Sequence, residues 1–299
     1  MRGTGLREAI AGLFVASIAT LAWLTHLPLL FPELAALAYG VFTNPAGPWA
    51  RAPMHLLLTP VLTALIGTAL ARHFGFGLVP VALSVLSSLA GLALLRSPIT
   101  PAISAGLLPV VLNMHSYAYP LSVALAVALL NAAHTALNGR NSGQRPSLPP
   151  WRLKGFGLYG LLVFMLAMAV VFSGWRLILF PPLAVLAFDR LVLGANHLWR
   201  GRVPVLLLGG GLNSIFAALL LDFLGNTPLA VACGVAAGIL LLRLLRTSVA
   251  PVLAIGLLPF VTGQGDARAV GSILLGLLAL YAAAALQSLM RPTISAVAP

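Results

Sequence analysis

Charge is scarce in this chain. Asp, Glu, Lys and Arg make up 7% of its 299 residues, whereas a soluble globular domain carries about 25%. That shortage excludes a soluble globular protein. Of all residues, 60% are hydrophobic, and the mean hydropathy is +1.04. Long apolar runs are typical of membrane helices rather than of barrel strands. The composition therefore predicts an all-α polytopic membrane protein in contact with a lipid bilayer.

Acids, lysine and cysteine are also few. The sequence holds five Asp and Glu residues, one lysine (Lys154) and one cysteine (Cys233). A single cysteine in an apolar run excludes a disulfide framework and a thiolate metal site. The acids are scattered, and HExxH, GxSxG and phosphate-loop motifs are absent, which excludes the usual catalytic constellations. We therefore expect no enzymatic activity, no metal and no cofactor.

The charge that is present has mainly one sign. Lys and Arg number 17 against five acids, for a net charge of +12. In a soluble protein this excess would indicate binding to nucleic acid. In a membrane protein it indicates the positive-inside rule, because arginines gather in short cytoplasmic loops. A positive field would also attract anions to a pore mouth, and that interpretation stays open beside the first. We expect no nucleic-acid partner.

One stretch of the sequence occurs twice. Residues 96–109 read Arg-Ser-Pro-Ile-Thr-Pro-Ala-Ile-Ser-Ala-Gly-Leu-Leu-Pro, and residues 246–259 read Arg-Thr-Ser-Val-Ala-Pro-Val-Leu-Ala-Ile-Gly-Leu-Leu-Pro. Arginine, proline, glycine, two leucines and a final proline recur 150 positions apart. Such recurrence predicts a tandem duplication. Apolar segments interrupted by proline at matching places in two halves are typical of the binding site of a duplicated transporter.

The apolar runs divide the chain into twelve segments. The stretch 139–154 is polar, basic and rich in proline, so we interpret it as a cytoplasmic linker. It separates a first membrane repeat, 1–138, from a second, 155–299. Each repeat holds six segments, of which the second and the fifth are short. The predicted segments are 8–26, 29–45, 53–71, 76–95, 98–114, 118–138, 155–174, 177–194, 203–222, 227–245, 248–263 and 269–289.

The distribution of basic residues predicts the topology. If all twelve segments cross, 14 of the 17 basic residues lie on the side of the termini, and Arg72, Arg176 and Arg268 lie on the other. If the second and fifth segments of each half re-enter instead, 8 basic residues lie on the side of the termini and 9 on the other side. The positive-inside rule favours twelve crossings with both termini in the cytoplasm of a bacterial inner membrane. Both models give each half an even number of crossings, so the two repeats are expected to be parallel.

Prolines make the fifth segment of each half unusual. Pro101 and Pro109 each lack the amide donor of a continuous helix, and the segment is shorter than the ~20 residues of a full crossing. A broken helix at membrane depth exposes backbone groups, which is tolerated only against protein or a water-filled cavity. The pattern predicts short, proline-broken helices that either form a solute site or merely kink against a neighbour.

The duplicated stretch resembles a family signature. Residues 96–108 are similar to Arg-Thr-x-His-Pro-Pro-Ala-Gly-Ala-Thr-Ala-Leu-Leu, the signature of the HPP family of bacterial and plastid membrane proteins. Residues 32–38 resemble the family's Pro-Ser-Leu-Gly-Ala-Ser-Ala helix, and residues 44–53 its Ser-Pro-x-Ala-Gln-Pro-Arg loop. The family's histidine is replaced by Ile99 and Val249 here. The resemblance implies two tandem copies of a helical membrane fold and a transport role, with nitrite as a solute because some members are implicated in its movement into plastids.

Polar residues inside these segments are candidates for a substrate pathway. Glu33 is an acid in a short apolar segment, and an ionisable group at membrane depth indicates a functional role. Thr63 matches Asn213 in the third segment of each half. We expect this pair to line a path shared by the two halves.

Hydroxyl groups flank the first proline of the duplicated stretch. Thr100 and Ser104 lie on either side of Pro101, where they would bind an anion or satisfy freed backbone groups. The second copy has Ala250 and Ala254 at these places, so the site is expected to be asymmetric. The full predicted pathway comprises Pro32, Glu33, Asn44, Thr63, Thr100, Pro101, Ser104, Pro181, Asn213 and Pro251.

Two functions fit these patterns. The first is a membrane transporter or channel for a small solute, expected to be an inorganic anion such as nitrite, with a pathway between the proline-broken helices at the repeat interface. The second is a non-transporting scaffold or sensor module that acts with a partner protein. A homo-oligomer is compatible with either.

Overall fold

The computed structural model describes residues 2–139, 150–194 and 203–289. Over these residues the chain is all-helical, with twelve α-helices and one 3-10 turn, Arg176–Leu179. The all-α prediction is confirmed, and each predicted segment coincides with one helix. Of the predicted linker 139–154, residues 140–149 lie outside the described residues. The helices are α1 (Arg2–Thr25), α2 (Pro32–Thr43), α3 (Pro53–Phe74), α4 (Leu78–Leu94), α5 (Ala102–Leu112), α6 (Ala118–Asn138), α7 (Leu153–Ser173), α8 (Pro181–Leu191), α9 (Val203–Leu224), α10 (Pro228–Leu244), α11 (Pro251–Thr262) and α12 (Ala267–Leu289).

Six long helices have the dimensions of membrane spans. Stretches of 19 to 23 residues in α1, α3, α6, α7, α9 and α12 are long and apolar enough to cross a bilayer, because ~20 residues at about 1.5 Å each cover the hydrocarbon core. Their outer faces carry large exposed apolar side chains such as Leu13, Leu121 and Phe172. The predicted integral membrane protein in contact with lipid is confirmed. Six spans by length are fewer than the twelve crossings predicted, and the topology stays a prediction.

Four short helices form the centre of the fold. Helices α2, α5, α8 and α11 have 11 or 12 residues each, which at about 1.5 Å per residue reaches little more than half of a ~30 Å hydrocarbon core. Nearly all their side chains are buried, including every residue from Ala102 to Val111 and from Val252 to Phe260. A helix that is apolar on all sides needs neighbours all round it, and the long helices provide them.

The short helices pack in pairs that join distant parts of the chain. Helix α2 packs against α11, and α5 packs against α8. The helices around them follow the same reciprocal order, since α1 packs against α10 and α4 packs against α7. These four contacts thus form two reciprocal pairs, one between α2–α11 and α5–α8 and one between α1–α10 and α4–α7.

Two arginines end corresponding helices in the same strained conformation. Arg96 follows α4 and Arg246 follows α10, and both have a φ of 49°. Their amides bond the carbonyl three residues back, and the next amide bonds the carbonyl five residues back at 2.9 Å in each case. This is the Schellman pattern, in which glycine is the usual residue at the left-handed position. An L-residue is strained there by about 1–2 kcal/mol.

The prolines of the short helices do not break them. Pro101 caps α5 and Pro251 is the first residue of α11, positions where a missing amide costs nothing because the first turn leaves its amides unbonded. Pro109 and Pro259 lie inside helices that continue beyond them. The short helices were predicted correctly, but the prediction that proline breaks them was wrong. The irregular backbone lies just before Pro101.

That irregular stretch, residues 97–100, is buried and well bonded. The Ser97 hydroxyl accepts a hydrogen bond from Thr59 at 2.8 Å. The Pro98 carbonyl accepts one from the indole N–H of Trp49 at 3.2 Å. Irregular backbone at membrane depth is tolerated where protein groups satisfy it. Trp49 of the α2–α3 loop does so for the Pro98 carbonyl, and the Ser97 hydroxyl does so for the Ile99 amide.

Candidate functional site

A cavity of about 300 Å³ opens between the four short helices. Its wall is built from one face of α2 along its length, the loop after α2, the starts of α5 and α11, one face of α8, and Leu206 of α9. The volume is at the small end of ligand pockets, which range over about 300–1,000 Å³. We call it the acidic cavity; the residues that define it are Glu33, Trp49, Pro101, Asp189, Pro251 and Ala254.

Glu33 lies in the first turn of α2 at the wall of the acidic cavity. Its side chain is 2% exposed. Ser104 of α5 donates a hydrogen bond to Oε1, while Oε2 is buried and has no hydrogen-bond partner within the described part of the chain. The N-terminus of α2 favours a carboxylate through the helix dipole. A buried carboxylate oxygen without a partner is costly, so this oxygen is available to something that enters the cavity.

Asp189 places a second carboxylate at the same wall. It lies on α8 and lines the acidic cavity, where it lies close to the Thr100 side chain. Thr100 and Ser104, the two hydroxyl residues that flank Pro101, thus each lie beside one acid. Both acids therefore lie beside groups at the start of α5, one of them across the contact between α5 and α8.

Trp49 forms another part of the wall. The loop after α2 returns the indole ring onto α2 at Gly40, where a Cβ atom would lie 2.7 Å from the ring carbons. The indole N–H donates to the Pro98 carbonyl at 3.2 Å. Glycine at position 40 thus permits the close approach that lets Trp49 connect α2 with the stretch before α5.

Glu8 ties this region to the outer helices. Tyr39 lines the acidic cavity, and its hydroxyl donates to Glu8 Oε1 on α1 at 3.1 Å. Glu8 Oε2 accepts from Arg243 Nε of α10 at 2.6 Å, and Arg243 Nη2 lies 2.5 Å from the same oxygen. The negative charge of Glu8 is therefore matched by a guanidinium.

The residues predicted from sequence fall into three groups. Glu33, Asn44, Pro101 and Pro251 line the acidic cavity, and Thr100 and Ser104 lie beside its acids, as described above. The remaining four, which lie away from its wall, are Pro32, Thr63, Pro181 and Asn213.

The four remaining residues serve the helices themselves. Pro32 and Pro181 are the first residues of α2 and α8. Thr63 donates to carbonyls of its own helix and lies against Gly106 of α5. Asn213 of α9 donates to the Val252 carbonyl of α11 at 2.9 Å. The structure thus puts the polar pair of the third segments at helix contacts.

The pathway predicted from sequence left out Asp189 and Trp49, which line the acidic cavity, and Tyr119, which lies outside it. Asp189 was detectable, since it is one of only five acids and lies in an apolar segment. Trp49 lies in the loop after α2, and Tyr119 lies at the start of α6. Their positions in the sequence do not indicate which group each side chain hydrogen-bonds.

A second cavity, of about 390 Å³, lies at the other end of α5 and α11. It is lined by residues past the middle of these helices, Leu108 and Phe260 among them, and by the loops after α1, α5 and α9. Tyr119 at the start of α6 also lines it. We call it the opposite cavity. The two cavities thus approach the same pair of short helices from their two ends.

The described residues that line the acidic cavity include acids but no bases. There are two acids, and no Lys, Arg or His, among them. In the part of the chain that the structure describes, no group of three or more His, Cys, Asp and Glu could hold a metal ion. The arrangement can therefore bind a hydrogen-bond donor or a cation.

Fold and site define a helical integral membrane protein with a mainly apolar cavity in its core that carries two acids. No protein-family model, no curated protein and no solved structure matches the chain. The resemblance to the HPP family stays a prediction.

Proposed function

We propose that the chain is a membrane transporter or channel for a small polar solute, which passes between the short helices at the centre of the fold. The observation that carries this proposal is the pair of cavities at opposite ends of α5 and α11. A membrane protein of purely structural role has no need of cavities on both sides of a thin central layer.

The layer between the cavities is short. Ala254 lines the acidic cavity and Phe260 lines the opposite one, six residues apart on one helix, or about 9 Å at 1.5 Å per residue. A chain of contacts crosses it on the other side, because Tyr119 bonds the Ala105 carbonyl and the neighbouring Ser104 bonds Glu33. A solute would have to pass only this layer rather than the full ~30 Å of hydrocarbon.

Two parallel repeats, residues 1–138 and 155–299, give this arrangement a simple origin. The reciprocal helix contacts and the equal φ of Arg96 and Arg246 support a duplication related by an axis along the membrane normal. In the topology predicted by the positive-inside rule, the acidic cavity opens toward the cytoplasmic side of a bacterial inner membrane. Its rim then lies beside the arginine-rich loops.

The acids narrow the choice of solute. Carboxylates repel an anion in a medium of low dielectric constant, so an inorganic anion such as nitrite would enter only with a cation or beside neutralised acids. A neutral or cationic solute of similar size meets no such barrier. The proposal therefore includes nitrite as one candidate solute among several.

Flux into proteoliposomes tests the proposal. Nitrite, nitrate, formate, bicarbonate, chloride, ammonium and urea are offered to vesicles that contain the purified protein. We expect selective flux of at least one solute, and its loss in the Pro101→Leu/Pro251→Leu variant, which puts two bulky side chains into the acidic cavity. Pro53→Leu is the matched control, since Pro53 also begins a helix but is exposed outside the cavity.

Flux of no solute from folded protein would overturn the proposal and favour the scaffold or sensor role. Equal flux in the wild type and the double variant would place the pathway elsewhere.

A further inference from the structure

We propose that Glu33 and Asp189 form a binding site for a monovalent cation, a proton or an alkali metal ion, in the acidic cavity. The inference deepens the proposed function, because a cation bound there would neutralise the acids that face the solute. Binding is a property of the folded protein and can be measured without transport.

The unpartnered oxygen of Glu33 points to a ligand. The side chain is 2% exposed, Ser104 satisfies only Oε1, and Oε2 lies buried at the cavity wall without a partner among the described residues. An ionised carboxyl group that is buried in this way is destabilised relative to one in water, because it loses its hydration. Either a proton on the oxygen or a cation beside it removes that destabilisation.

Asp189 completes the site from another helix. Its carboxyl group lines the same cavity and lies close to the side chain of Thr100, four residues before the Ser104 that bonds Glu33. Carboxylate and hydroxyl oxygens are ligands that hard metal cations prefer. A proton would instead bind one carboxylate oxygen.

Other ionisable groups around the site do not supply that charge to Glu33. Glu8 of α1 accepts hydrogen bonds from Tyr39 of α2 and from Arg243 of α10, so these three groups are joined by hydrogen bonds. From α6 come His134, one helical turn from Asn138, which it bonds, and Tyr119, whose hydroxyl donates to the Ala105 carbonyl.

The groups near Asp189 are Tyr159 of α7 and Arg190 of α8. The Tyr159 hydroxyl is buried within electrostatic reach of Asp189, but it carries no positive charge. The Arg190 guanidinium donates to Gln287 of α12 at 3.3 Å. Hence no cationic side chain hydrogen-bonds Glu33 within the described residues, and the site has room for a cation from solution.

Thermal unfolding of the full chain in detergent tests the site. In the first series NaCl replaces choline chloride at constant ionic strength and at about pH 8, above the usual pKa of both carboxyl and histidine groups. In the second series the pH is lowered without sodium to about 5.5, still above the usual pKa of a carboxyl group. The variants are Glu33→Gln, Asp189→Asn and the double variant. Asp222→Asn is the matched control, because Asp222 is an exposed acid at the end of α9.

A sodium site predicts that the unfolding midpoint of the wild type rises with the logarithm of sodium concentration above Kd, as for any ligand that binds the folded state. A proton site predicts no effect of sodium and a midpoint that rises as the pH falls. In either case the double variant loses the shift, each single variant weakens it, and Asp222→Asn keeps it.

The amide variants imitate the neutralised acids, so we expect them to fold. A wild type and a double variant that respond alike to sodium and to pH would overturn the inference. Cation binding without solute flux would support the cation site and overturn the proposed transport function. Solute flux without cation binding would support transport and overturn the cation site.

Discussion

The Tyr119 hydroxyl donates a hydrogen bond to the Ala105 carbonyl oxygen at 3.1 Å. Ala105 is four residues before Pro109, so its carbonyl is the helix acceptor that proline leaves without an amide donor. A side chain of α6 thus supplies the bond that α5 lacks. The bond lies in the thin layer between the two cavities, which links a proline in the sequence to the proposed pathway.

Tyr119→Phe is expected to lower stability by about 1–3 kcal/mol, the usual cost of leaving a buried acceptor unsatisfied. Pro109→Ala restores the amide that can bond Ala105, so Tyr119→Phe should cost less in the Pro109→Ala background. Thermal unfolding of the two single variants and the double variant measures this coupling. Strictly additive effects would show that Tyr119 and Pro109 do not share the carbonyl.

Gly67→Ala is expected to destabilise the protein by about 1–3 kcal/mol or more, as overpacking of a core does. A Cβ atom at Gly67 of α3 would collide with the Gly106 backbone oxygen of α5, which cannot move as a flexible side chain would. Gly271→Ala is the matched control. A Cβ at Gly271 meets nothing within 4 Å, so the higher helix propensity of alanine should stabilise it by up to about 1 kcal/mol.

Equal unfolding midpoints for the Gly67 and Gly271 variants would contradict the close contact of α3 with α5. That contact fixes the position of α5 and hence of both hydroxyls at the acidic cavity.

The Glu8–Arg243 pair is expected to couple α1 with α10 by at most about 1 kcal/mol, because Arg243 is 51% exposed and solvent screens it. A double-mutant cycle with Glu8→Gln and Arg243→Gln measures the coupling through thermal unfolding. Tyr39 should retain its hydrogen bond to the side-chain amide that replaces the carboxylate in Glu8→Gln, so solute flux is expected to change little. Arg51→Gln, at another exposed arginine, should show no coupling with Glu8→Gln, and equal coupling for both would argue against a specific pair.

Gly40→Ala is expected to reduce flux more than it reduces stability. The new methyl group would displace the Trp49 ring, which is held by the Pro98 carbonyl and forms one wall of the acidic cavity. Flux into proteoliposomes is compared with the unfolding midpoint of the same preparation. Gly157→Ala on α7, where a Cβ meets nothing, serves as control, and unchanged flux in Gly40→Ala would remove Trp49 from the pathway.

The sequence was enough to predict the twelve helices, because apolar runs and their length follow directly from the demands of a bilayer. It also predicted four residues of the cavity wall, since Glu33 and the prolines stand out against an apolar background. It did not predict that Pro101 begins α5, because a proline before a helix and one inside it look alike in an apolar run. Trp49 and Tyr119 could not be found, since their roles depend on partners 49 and 14 residues away.

Thr63 and Asn213 were predicted to line the pathway, but the structure places them away from the acidic cavity. Their matching positions drew attention to a shared pathway, yet both lie at contacts between helices, against Gly106 and Gly256. A polar residue in an apolar helix bonds a backbone carbonyl as readily as it lines a path. Sequence pattern does not separate these two uses.

Modification of the acidic cavity tests the central claim most directly. Ala254→Cys is introduced into a Cys233→Ser background, so that a small thiol reagent reacts only at the cavity wall. Gln264→Cys, in the exposed loop after α11, is the control. The account predicts that the reagent abolishes flux in the Ala254→Cys protein, that the transported solute slows the reaction there, and that labelled Gln264→Cys protein keeps its flux. Full flux through protein labelled stoichiometrically at position 254 would contradict a pathway through the acidic cavity.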